Sequence, residues 1–467
     1  MITEIKFGTD GWRGIIADDF TFNNLEKVAL ATAELFRRHK KIRNGIVIGY
    51  DARFMSKEFA ERTAQVLAGA RIKVKISDAI SSTPMVSLLT RDLNVAGGVV
   101  ITASHNPSKY NGYKLKGEYG GPMHPEGIAR LEELLAKVLK RAPKDVHRAS
   151  MDDLTQKGLI QYIDMTKKYV DDIKTKIDCS AIQRSGLRIL HDPMYGAGMG
   201  VLRQIIPSAS EIHGTYNPSF GGTNPEQIEK NLIELVSEVR SGRYDVGIAT
   251  DGDADRIGLV DEKGNFVDSH KIFSLLLKYF VEEKKWRGEV VKTISVTEMV
   301  DRQCEEYGLT LHRTPVGFKY VCRLMTERDV LIGGEESGGL GVKGHLPERD
   351  GIYLGLLIAE IMMKRQKRLS ELVRELTDKY GEMVFKRIDH HISMKEKEAV
   401  LKRFSKGVRK VAGYPVKRID TLDGFKLFFE NAWVLVRPSG TEPLIRFYAE
   451  ADSAVKVDKL LRGAIEG

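Results

Sequence analysis

Residues 97–117 read GGVVITASHNPSKYNGYKLKG, an apolar run that ends in a polar loop with several reactive side chains. The same unit, a β-branched run followed by a polar, glycine-containing loop and then by helical periodicity, recurs along the chain. Its other copies lie at 45–53, 186–198, 244–256 and 329–339. Apolar runs that alternate with helices are typical of buried strands in an α/β sheet, where ligands bind beyond the carboxyl ends of the strands. We therefore expect these loops to form a binding site.

Length, composition and charge restrict the class of protein. The 467 residues are 42% hydrophobic and 29% charged, which is typical of a globular chain with about three domains. The net charge of +9, from 73 basic and 64 acidic residues, is a mild excess spread along the chain. Such an excess suits an anionic small substrate, whereas nucleic acid usually requires a concentrated basic stripe. We expect no nucleic-acid partner.

Cysteine usage and hydropathy indicate the compartment. Cys179, Cys304 and Cys322 have no CxxC spacing and cannot all pair, which favours reduced thiols. The N-terminal segment carries glycines and charges where a signal peptide requires an apolar core. The longest apolar stretches, such as 355–363, are too short to span a bilayer. We expect a cytoplasmic protein without a membrane partner.

Breaks in the strand–helix alternation divide the chain into four parts. A polar passage at 141–154 has the composition of a linker, and further breaks fall near Val260 and at 376–389. The predicted units are 1–150, 151–258, 259–378 and 379–467, of which the first three share one α/β pattern and the last differs. Helices are predicted at 125–142, 223–240 and 271–286. The second of these has Asn224 as its N-cap and Pro225 in its first turn.

The sequence DGDADR places Asp251, Asp253 and Asp255 at alternate positions after an apolar run. Three carboxylates this close repel one another unless a divalent cation neutralises them, and oxygen ligands favour Mg²⁺, Mn²⁺ or Ca²⁺ over zinc. An EF-hand is excluded because its sixth position requires glycine and is Arg256 here. An arginine beside the acids would suit a phosphate held at the same metal.

Two further loops have the composition of ligand-binding segments. The sequence RPSGTEPLIR supplies guanidinium groups, hydroxyls and backbone N–H groups, which together can bind a phosphate dianion. Its candidate residues are Arg437, Ser439, Gly440, Thr441 and Arg446. The glycine-rich segment 333–351 contains Glu335 and Ser337. An acid close to a hydroxyl can bind vicinal sugar hydroxyls, and the glycines let the backbone approach a ligand.

Ser104 is either a nucleophile or the cap of a turn, and its own segment leaves both readings open. It is followed by His105 and, further along, by Lys114. No GxSxG surrounds Ser104, the sequence contains no GxxxxGK[ST], and YGAGMG after the strand-like run 187–191 lacks the GxGxxG spacing, which argues against a hydrolase elbow, a P-loop ATPase and a dinucleotide site. Lys319, taken alone, is typical of a surface lysine. A hard-cation triad, a serine and a separate phosphate-binding loop together suggest phosphoryl transfer on a phosphorylated polyol.

Four motifs occur in a fixed order along the chain, namely TASHNPSKYNGYK, DGDADR, GEESGG and RPSGTEPLIR, and FGTDGWRG precedes them. In this order they resemble the motifs of the α-D-phosphohexomutases, and the resemblance covers essentially the whole chain. It implies an α/β protein with three similar mixed α/β/α domains and a C-terminal TATA-box-binding-protein-like α+β domain around a central active-site cleft. It also implies an isomerase that acts on a hexose phosphate, as a monomer or a homodimer.

The resemblance assigns a role to each motif residue. Ser104 would be the phosphoserine and Lys114 the general acid/base. The catalytic residues would be Ser104, Lys114, His105 and Arg13. The ligands of one Mg²⁺ per chain would be Asp251, Asp253, Asp255 and, through a phosphoryl oxygen, Ser104. The substrate-binding residues would be Arg256, Lys319, Glu335, Ser337, Arg349, Arg437, Ser439, Gly440, Thr441 and Arg446.

The implied reaction interconverts hexose 1-phosphate and hexose 6-phosphate. Phospho-Ser104 passes its phosphoryl group to the free hydroxyl, the bisphosphate turns end for end, and its other phosphoryl group returns to the serine. Glucose 1,6-bisphosphate is the expected activator that loads Ser104. A lysine base must be desolvated or crowded by other cations to lose its proton near neutral pH, so we expect such surroundings for Lys114.

The glycine-rich segment also bears on the choice of sugar. Glu336 and Gly339 are nearer to the glucose-preferring members of the family than to the glucosamine members, which tend to carry a glutamine. We therefore expect glucose, with mannose as a second substrate. Part of the family has a histidine at the position of Gly339, so its proton-transfer role is absent here, and His345 is the substitute considered. The alternatives are a phosphoglucosamine mutase and a catalytically silent phosphosugar-binding protein.

Overall fold

The computed structural model describes residues 5–8, 10–140, 149–439 and 444–466. The first sheet has the strands β1 Trp12–Ile15, β2 Ile46–Tyr50, β3 Val74–Ser77, β4 Gly97–Ile101, β5 Tyr110–Gly117, β6 Gly121–Pro122 and β7 Ile160–Ile163. Its helices are α1 Phe22–Phe36, α2 Ser56–Gly69, α3 Thr83–Asp92, α4 Pro125–Val138 and α5 Met151–Gln156. The order is β1-β5-β4-β2-β3-β7, with β6 beside β5. Strands β4, β2, β3 and β7 are parallel, whereas β5 runs antiparallel to β4.

The second sheet has the order β12-β11-β10-β8-β9. This unit comprises α6 Met165–Lys176, α7 Cys179–Arg184, β8 Ile189–Asp192, α8 Val201–Ile205, β9 Ser210–Glu211, α9 Ile233–Glu238, β10 Val246–Thr250, β11 Ile257–Asp261 and β12 Phe266–Val267. Strands β8 and β10 are parallel, and β11 returns antiparallel to β10.

The third sheet has the order β14-β13-β15-β16. This unit comprises α10 Ser269–Glu282, β13 Glu289–Thr293, α11 Met299–Tyr307, β14 Leu311–Thr314, α12 Phe318–Glu327, β15 Val330–Gly334, β16 Leu340–Val342, α13 Gly351–Arg365 and α14 Leu369–Tyr380. Strands β13, β14 and β15 are parallel, and β16 returns antiparallel to β15.

Each of these three sheets places its functional loop at the same topological point. The loop connects the last parallel strand to its antiparallel neighbour: 102–109 between β4 and β5, 251–256 between β10 and β11, and 335–339 between β15 and β16. We name them the serine loop, the aspartate loop and the glycine-rich loop. All three leave the carboxyl end of a buried parallel strand, where ligands of α/β sheets bind. The shared topology explains why the sequence shows a repeated pattern without a residue-level repeat.

The fourth sheet is entirely antiparallel, in the order β17-β23-β22-β21-β20. This unit comprises β17 Val384–His391, α15 Met394–Ser405, β18 Lys410–Val411, β19 Tyr414–Pro415, β20 Arg418–Asp420, β21 Phe425–Phe429, β22 Ala432–Pro438, β23 Leu444–Ala451 and α16 Ala454–Glu466. We use the name C-terminal loop for the sequence segment 437–446, which runs from the end of β22 into β23 and of which residues 440–443 lie outside the described residues. Three similar mixed α/β units followed by a different α+β unit confirm the predicted fold class.

Buried contacts between units fix the loops relative to one another. One hydrophobic core is continuous from α3 of the first unit through the second and third units. Lys116 on β5 and Glu348, ahead of α13, form an ion pair of 2.6 Å between side chains that are both fully buried. Ser87 on α3 donates to the same carboxylate at 3.0 Å. The apolar run 355–363 lies within buried α13, and no described helix is long and apolar enough to cross a membrane.

The prediction of a helix over residues 223–240 is wrong for most of that range. Only Ile233–Glu238 is α-helical, and a π-type turn follows it. The Pro225 carbonyl instead accepts the Gly252 N–H of the aspartate loop at 3.1 Å. The Gln227 amide donates to the Ser337 carbonyl of the glycine-rich loop at 2.7 Å. These tertiary contacts override the local N-cap signal because they brace two functional loops.

The other helix predictions hold with shifted ends. Residues 125–142 were expected to be helical and α4 covers Pro125–Val138, whereas residues 271–286 correspond to α10, which begins at Ser269 after an Asp268 N-cap. The four unit boundaries stay predictions. Strand pairing places β7 with the first sheet although it follows residue 150, and β11 and β12 with the second sheet although they reach past residue 258. The sheets therefore extend beyond two of the predicted breaks.

Candidate active site

Ser104 lies fully buried in the serine loop and faces the aspartate loop. Its Oγ donates to Asp251 Oδ2 at 2.7 Å. Its backbone φ is +52°, the left-handed region, which costs a non-glycine residue about 1–2 kcal/mol. A Cβ at position 252 would lie 2.4 Å from the Ser104 carbonyl oxygen, so the two loops approach closely only because residue 252 is glycine. A strained, buried serine held against a carboxylate is more than a turn cap.

The aspartate triad is fully buried, and one oxygen of each residue lies within 4.8 Å of the others. Asp251 Oδ1 accepts the backbone N–H groups of Asp255 and Arg256, both at 3.1 Å, which holds the loop closed on itself. Burial, together with the two neighbouring carboxylates, raises the pKa of Asp251 well above its ordinary value. Burial also opposes ionisation of Asp253, but the charge of Lys114 holds the pKa of Asp253 below its ordinary value.

The triad fits a hard divalent cation. Asp253 Oδ1 and Asp255 Oδ1 are buried and accept no hydrogen bond, whereas the Oδ2 atom of each carboxylate is engaged. These two oxygens, together with Asp251 Oδ2 and Ser104 Oγ, form an oxygen-only donor set. Mg²⁺ prefers such ligands and keeps coordination positions for phosphate oxygens. These residues would hold Mg²⁺ together with a phosphoryl group on Ser104.

Lys114 lies between the triad and the N-terminal segment. Its Nζ contacts Asp253 Oδ2 at 2.8 Å, Asp255 Oδ2 at 3.0 Å and Asp10 Oδ2 at 2.9 Å. Burial lowers the pKa of Lys114, but these carboxylates outweigh burial and raise it above its ordinary value. Of the two alternative conditions, desolvation is met, because Lys114 is 1% exposed, whereas carboxylates and not cations crowd its ammonium group, with Arg349 as the cation that opposes them.

His105 and the arginines around it make the mouth of the serine loop strongly positive. His105 Nδ1 lies 3.5 Å from Ser104 Oγ. Arg13 on β1 donates to Asn106 Oδ1 at 2.5 Å, and the Arg256 Nε lies 3.9 Å from Asp251 Oδ2 and is itself buried without a hydrogen-bond partner. Burial and the charges of the neighbouring arginines hold the pKa of His105 well below its ordinary value, so the imidazole is neutral at pH 7. This cluster suits an anionic phosphoryl group.

The glycine-rich loop meets this cluster through Arg349. The Arg349 guanidinium pairs with Asp255 Oδ2 at 2.7 Å and with Asp10, and its Nη1 lies 3.8 Å from Glu335 Oε2. Ser337 is held by its carbonyl group, which accepts the Gln227 amide. Burial raises the pKa of Glu335 to about 7 although Arg349 opposes the shift. His345 does not face this loop, since it binds Asp350 at 2.8 Å and Lys176 at 2.9 Å.

The raised pKa of Glu335 predicts that Glu335→Gln stabilises the protein at alkaline pH. A folded-state pKa of about 7 against an ordinary 4.5 means that protonation of Glu335 favours folding, fully below pH 4.5 and not at all above pH 7. The variant cannot ionise, so its free energy of unfolding should exceed that of the wild type by up to about 3 kcal/mol at pH 8.5, and by almost nothing at pH 4.5. Denaturant unfolding at both pH values measures this difference. An equal difference at the two pH values would contradict it.

The C-terminal residues form a second cluster on the fourth sheet. Arg437 on β22 and Arg446 on β23 are directly opposed in the ladder. The Arg437 Nε donates to Asp423 Oδ2 at 2.7 Å, and Glu336 of the glycine-rich segment is among the acids that raise the pKa of Arg437 against burial. The Ser439 carbonyl accepts Lys397 Nζ at 2.6 Å. Gly440 and Thr441 lie outside the described residues.

The structure adds residues that the sequence analysis did not single out. Asp10, within the quoted FGTDGWRG, pairs with both Lys114 and Arg349. Burial favours its neutral form, yet the neighbouring cations hold the pKa of Asp10 well below its ordinary value. Thr83 at the start of α3 donates to Asp253 Oδ2, and no sequence signal marked it. Lys319, expected alone to be a surface residue, is half-buried and donates to the Gly8 carbonyl at 3.4 Å.

Comparison with protein families matches all four units. Phosphoglucomutase/phosphomannomutase α/β/α domains I, II and III match residues 4–142, 167–264 and 268–380, and the C-terminal domain of the same family matches residues 391–465. The chain belongs to the phosphoglucomutase/phosphomannomutase family. It is therefore a phosphohexomutase, an isomerase of the α-D-phosphohexomutase family, as the motif resemblance predicted.

Individual relatives of this family member span nearly its full length. A phosphoglucomutase/phosphomannomutase of Thermococcus kodakarensis is 34% identical, with 99% of each chain covered. A phosphoglucosamine mutase of Agrobacterium fabrum is 30% identical, covering 98% of this chain and 97% of the relative. A crystal structure from Thermus thermophilus, provisionally described as a phosphomannomutase, superposes with a TM-score of 0.86 at 34% identity and 100% coverage of both chains.

Proposed function

We propose that this phosphohexomutase interconverts glucose 1-phosphate and glucose 6-phosphate through phospho-Ser104 and glucose 1,6-bisphosphate. The observation that carries the proposal is the Ser104 hydroxyl, which lies 2.7 Å from Asp251 inside a buried carboxylate triad. Asp251, Asp253 and Asp255 would hold a divalent cation beside a phosphorylated Ser104, where it would neutralise the charge of the phosphoryl group. Glucose 1,6-bisphosphate would load the serine before the first turnover.

In the forward direction, the sugar 6-hydroxyl attacks the phosphorus of phospho-Ser104. The new P–O bond to the sugar forms as the bond to Ser104 Oγ breaks, and the hydroxyl proton passes by way of a base, for which Lys114 is the proposed group, to the departing Ser104 Oγ. After the bisphosphate has turned, Ser104 Oγ attacks the phosphorus at the 1-position and regains a phosphoryl group. The freed 1-hydroxyl oxygen takes up the proton, and glucose 6-phosphate leaves.

Several residues of this chain would stabilise the negative charge of the phosphoryl group during the transfer. When bound, Mg²⁺ supplies Lewis-acid neutralisation of the phosphoryl oxygens. Arg13, Arg256 and His105 lie around the serine loop, where they would position the transferring group by hydrogen bonds and charge. Lys114 can act as a base only when positive charge offsets the carboxylates around it, which the cation at the triad would provide.

The second phosphate of the substrate is proposed to bind at the C-terminal loop. Arg437 and Arg446 oppose each other on adjacent strands and present two guanidinium groups on one sheet. The remaining proposed ligands of this phosphate are Ser439, Gly440 and Thr441. With the non-reacting phosphate there, Glu335 and Ser337 would contact the sugar hydroxyls, and Lys319 and Arg349 would complete the cleft.

Charge in the cleft favours a neutral sugar over an aminosugar. Arg349 lies beside Glu335, and burial raises the pKa of Glu335 to about 7, so this acid is only partly ionised at neutral pH. Glu336 accepts Ser295 Oγ at 2.5 Å and faces Arg437. An ammonium group on the sugar would thus lose water without gaining a free carboxylate. A glucosamine substrate remains the second candidate because a 30% identical relative is a phosphoglucosamine mutase.

A panel of hexose 1-phosphates tests the choice of sugar. We expect kcat/KM for glucose 1-phosphate to exceed that for glucosamine 1-phosphate by at least about tenfold, corresponding to about 1.4 kcal/mol of transition-state binding, with mannose 1-phosphate as a second substrate. Each reaction is primed with the matching 1,6-bisphosphate and followed by product formation. A higher kcat/KM for glucosamine 1-phosphate would overturn the glucose assignment. Binding of every sugar without turnover would indicate a phosphosugar-binding protein instead.

A further inference from the structure

The segment that follows β2 carries two buried charged residues that the proposed reaction does not use. Asp51 and Arg53 are each 1% exposed and lie beneath the serine loop. The Arg53 Nε donates to Asp51 Oδ2 at 3.1 Å, so the two form a buried ion pair. A buried ion pair is weak evidence for stability, because its desolvation can cancel the attraction, so its directional hydrogen bonds are the feature to consider.

Arg53 directs its other donors toward carbonyl groups of the serine loop and its exit. One terminal nitrogen donates to the carbonyl groups of Ser104 and Asn106, both at 2.6 Å. The other donates to those of Pro107 at 2.9 Å and Tyr110 at 3.0 Å. With the bond to Asp51, five N–H donors meet five acceptors, which is the full capacity of a guanidinium group.

Asp51 is linked to the Ser104 N–H through the Thr102 hydroxyl. The Thr102 hydroxyl donates to Asp51 Oδ2 at 2.5 Å and accepts the Ser104 N–H at 2.9 Å. The N–H of Ser104 is thereby fixed through Thr102, and its carbonyl is fixed by Arg53. Both polar groups of the Ser104 backbone are held, so the left-handed φ of +52° is defined from both sides.

We infer that Asp51, Arg53 and Thr102 form a positioning clamp that keeps Ser104 in its left-handed conformation, with Oγ directed at the aspartate triad. The inference rests on the proposed function, in which Ser104 carries the phosphoryl group. Transfer requires the serine oxygen to occupy one position whether it bears phosphate or not, because a misplacement of about 1 Å can cost about 10²-fold in rate. The clamp binds the backbone of Ser104 and not its side chain, so it leaves the hydroxyl available for the reaction.

Substitution of Thr102 tests the clamp with little change of volume. Thr102→Val removes the hydroxyl that links Asp51 to the Ser104 N–H, whereas Thr102→Ser keeps it. We expect Thr102→Val to slow phosphorylation of Ser104 by glucose 1,6-bisphosphate, and kcat, by at least about tenfold. KM for glucose 1-phosphate should stay within about threefold, because the C-terminal phosphate site is not altered. Thr102→Ser should retain both rates within about threefold.

Arg53→Lys is the stronger variant, since a lysine cannot span four carbonyl groups, and we expect a loss of about 10²-fold in both rates. Arg62→Lys is the matched control. Arg62 also binds a carboxylate, Glu26 at 2.5 Å, and lies over an aromatic ring, but it does not contact the serine loop. Arg62→Lys should have the wild-type rate of Ser104 phosphorylation and the wild-type kcat. Thermal unfolding of every variant identifies any loss caused by misfolding, and if Arg53→Lys fails to fold, the Thr102 pair decides.

The possible outcomes distinguish failure of the clamp proposal from failure of the proposed function. Wild-type rates in Thr102→Val, or equal losses in Thr102→Val and Thr102→Ser, would overturn the clamp while phospho-Ser104 in the wild type still supports the proposed function. A wild-type enzyme that turns over without phosphate on Ser104 would overturn the proposed function, and the clamp with it. Slow phosphorylation in Thr102→Val together with rescue by Thr102→Ser supports both.

Discussion

Ser104→Ala is expected to lower kcat for glucose 1-phosphate isomerisation by at least about 10⁴-fold. Without Oγ no covalent carrier exists, and the bisphosphate has no group to which it can return a phosphoryl group. The fold should persist, because alanine removes a single hydroxyl whose one close acceptor is Asp251. Initial rates at saturating glucose 1,6-bisphosphate measure kcat, and the intact mass shows whether the variant carries a phosphoryl group.

The matched control is Ser274→Ala. Ser274 is likewise fully buried, and its Oγ has no hydrogen-bond partner in the described structure. Its removal tests the general cost of deleting a buried serine hydroxyl, and kcat should be unchanged. If Ser104→Ala kept a tenth or more of the wild-type kcat, on the order of 1 kcal/mol of lost transition-state stabilisation, phospho-Ser104 could not be the intermediate.

Asp255→Asn is expected to lower kcat by about 10³-fold, or about 4 kcal/mol of transition-state stabilisation, and to weaken Mg²⁺ binding by at least about tenfold. The substitution affects one of the two carboxylate groups of the triad with an oxygen that accepts no hydrogen bond, and it removes a charge that Lys114 and Arg349 both contact. Calorimetric titration with Mg²⁺ measures binding independently of turnover, and initial rates at several Mg²⁺ concentrations measure kcat.

Asp261→Asn controls for the loss of a buried acid in the same unit. Asp261 is 4% exposed, lies on β11 and accepts backbone N–H groups of Lys263 and Asn265 at 3.0 and 2.8 Å. We expect its Mg²⁺ affinity and kcat to stay within about threefold of the wild type, since these hydrogen bonds hold the chain at the end of β11 opposite the aspartate loop and act on stability. Equal Mg²⁺ affinity in Asp255→Asn and the wild type would show that the triad does not hold the cation.

The local sequence was sufficient to predict those features whose residues lie close together in the chain. The alternate spacing of Asp251, Asp253 and Asp255 after a strand predicted a cation site, and the structure brings the three carboxylates together. The strand-then-loop pattern predicted the α/β units because apolar runs and turn residues act over short distances. The order of the motifs then identified the family.

Contacts between segments that are distant in the sequence could not be predicted from local sequence patterns. Lys114 is desolvated, which was one of the two expected conditions, but carboxylates from two other segments surround it, and no local pattern indicated them. The segment after Asn224 has helix-start signals, yet its Pro225 carbonyl and Gln227 amide bind other loops and prevent the helix. The role of Arg53 depends on carbonyl groups that only the fold brings near it.

The most direct test of a phosphoserine mechanism is the mass of the protein itself, taken before and after one turnover. Loaded with glucose 1,6-bisphosphate and freed of it, the chain should carry one phosphoryl group, located on Ser104 by peptide mapping. When that group is isotopically labelled, one turnover of glucose 1-phosphate should transfer the label to the glucose 6-phosphate formed, in equal amount, while Ser104 regains an unlabelled phosphoryl group. Active enzyme that never carries phosphate on Ser104, or carries it on another residue, would contradict the mechanism.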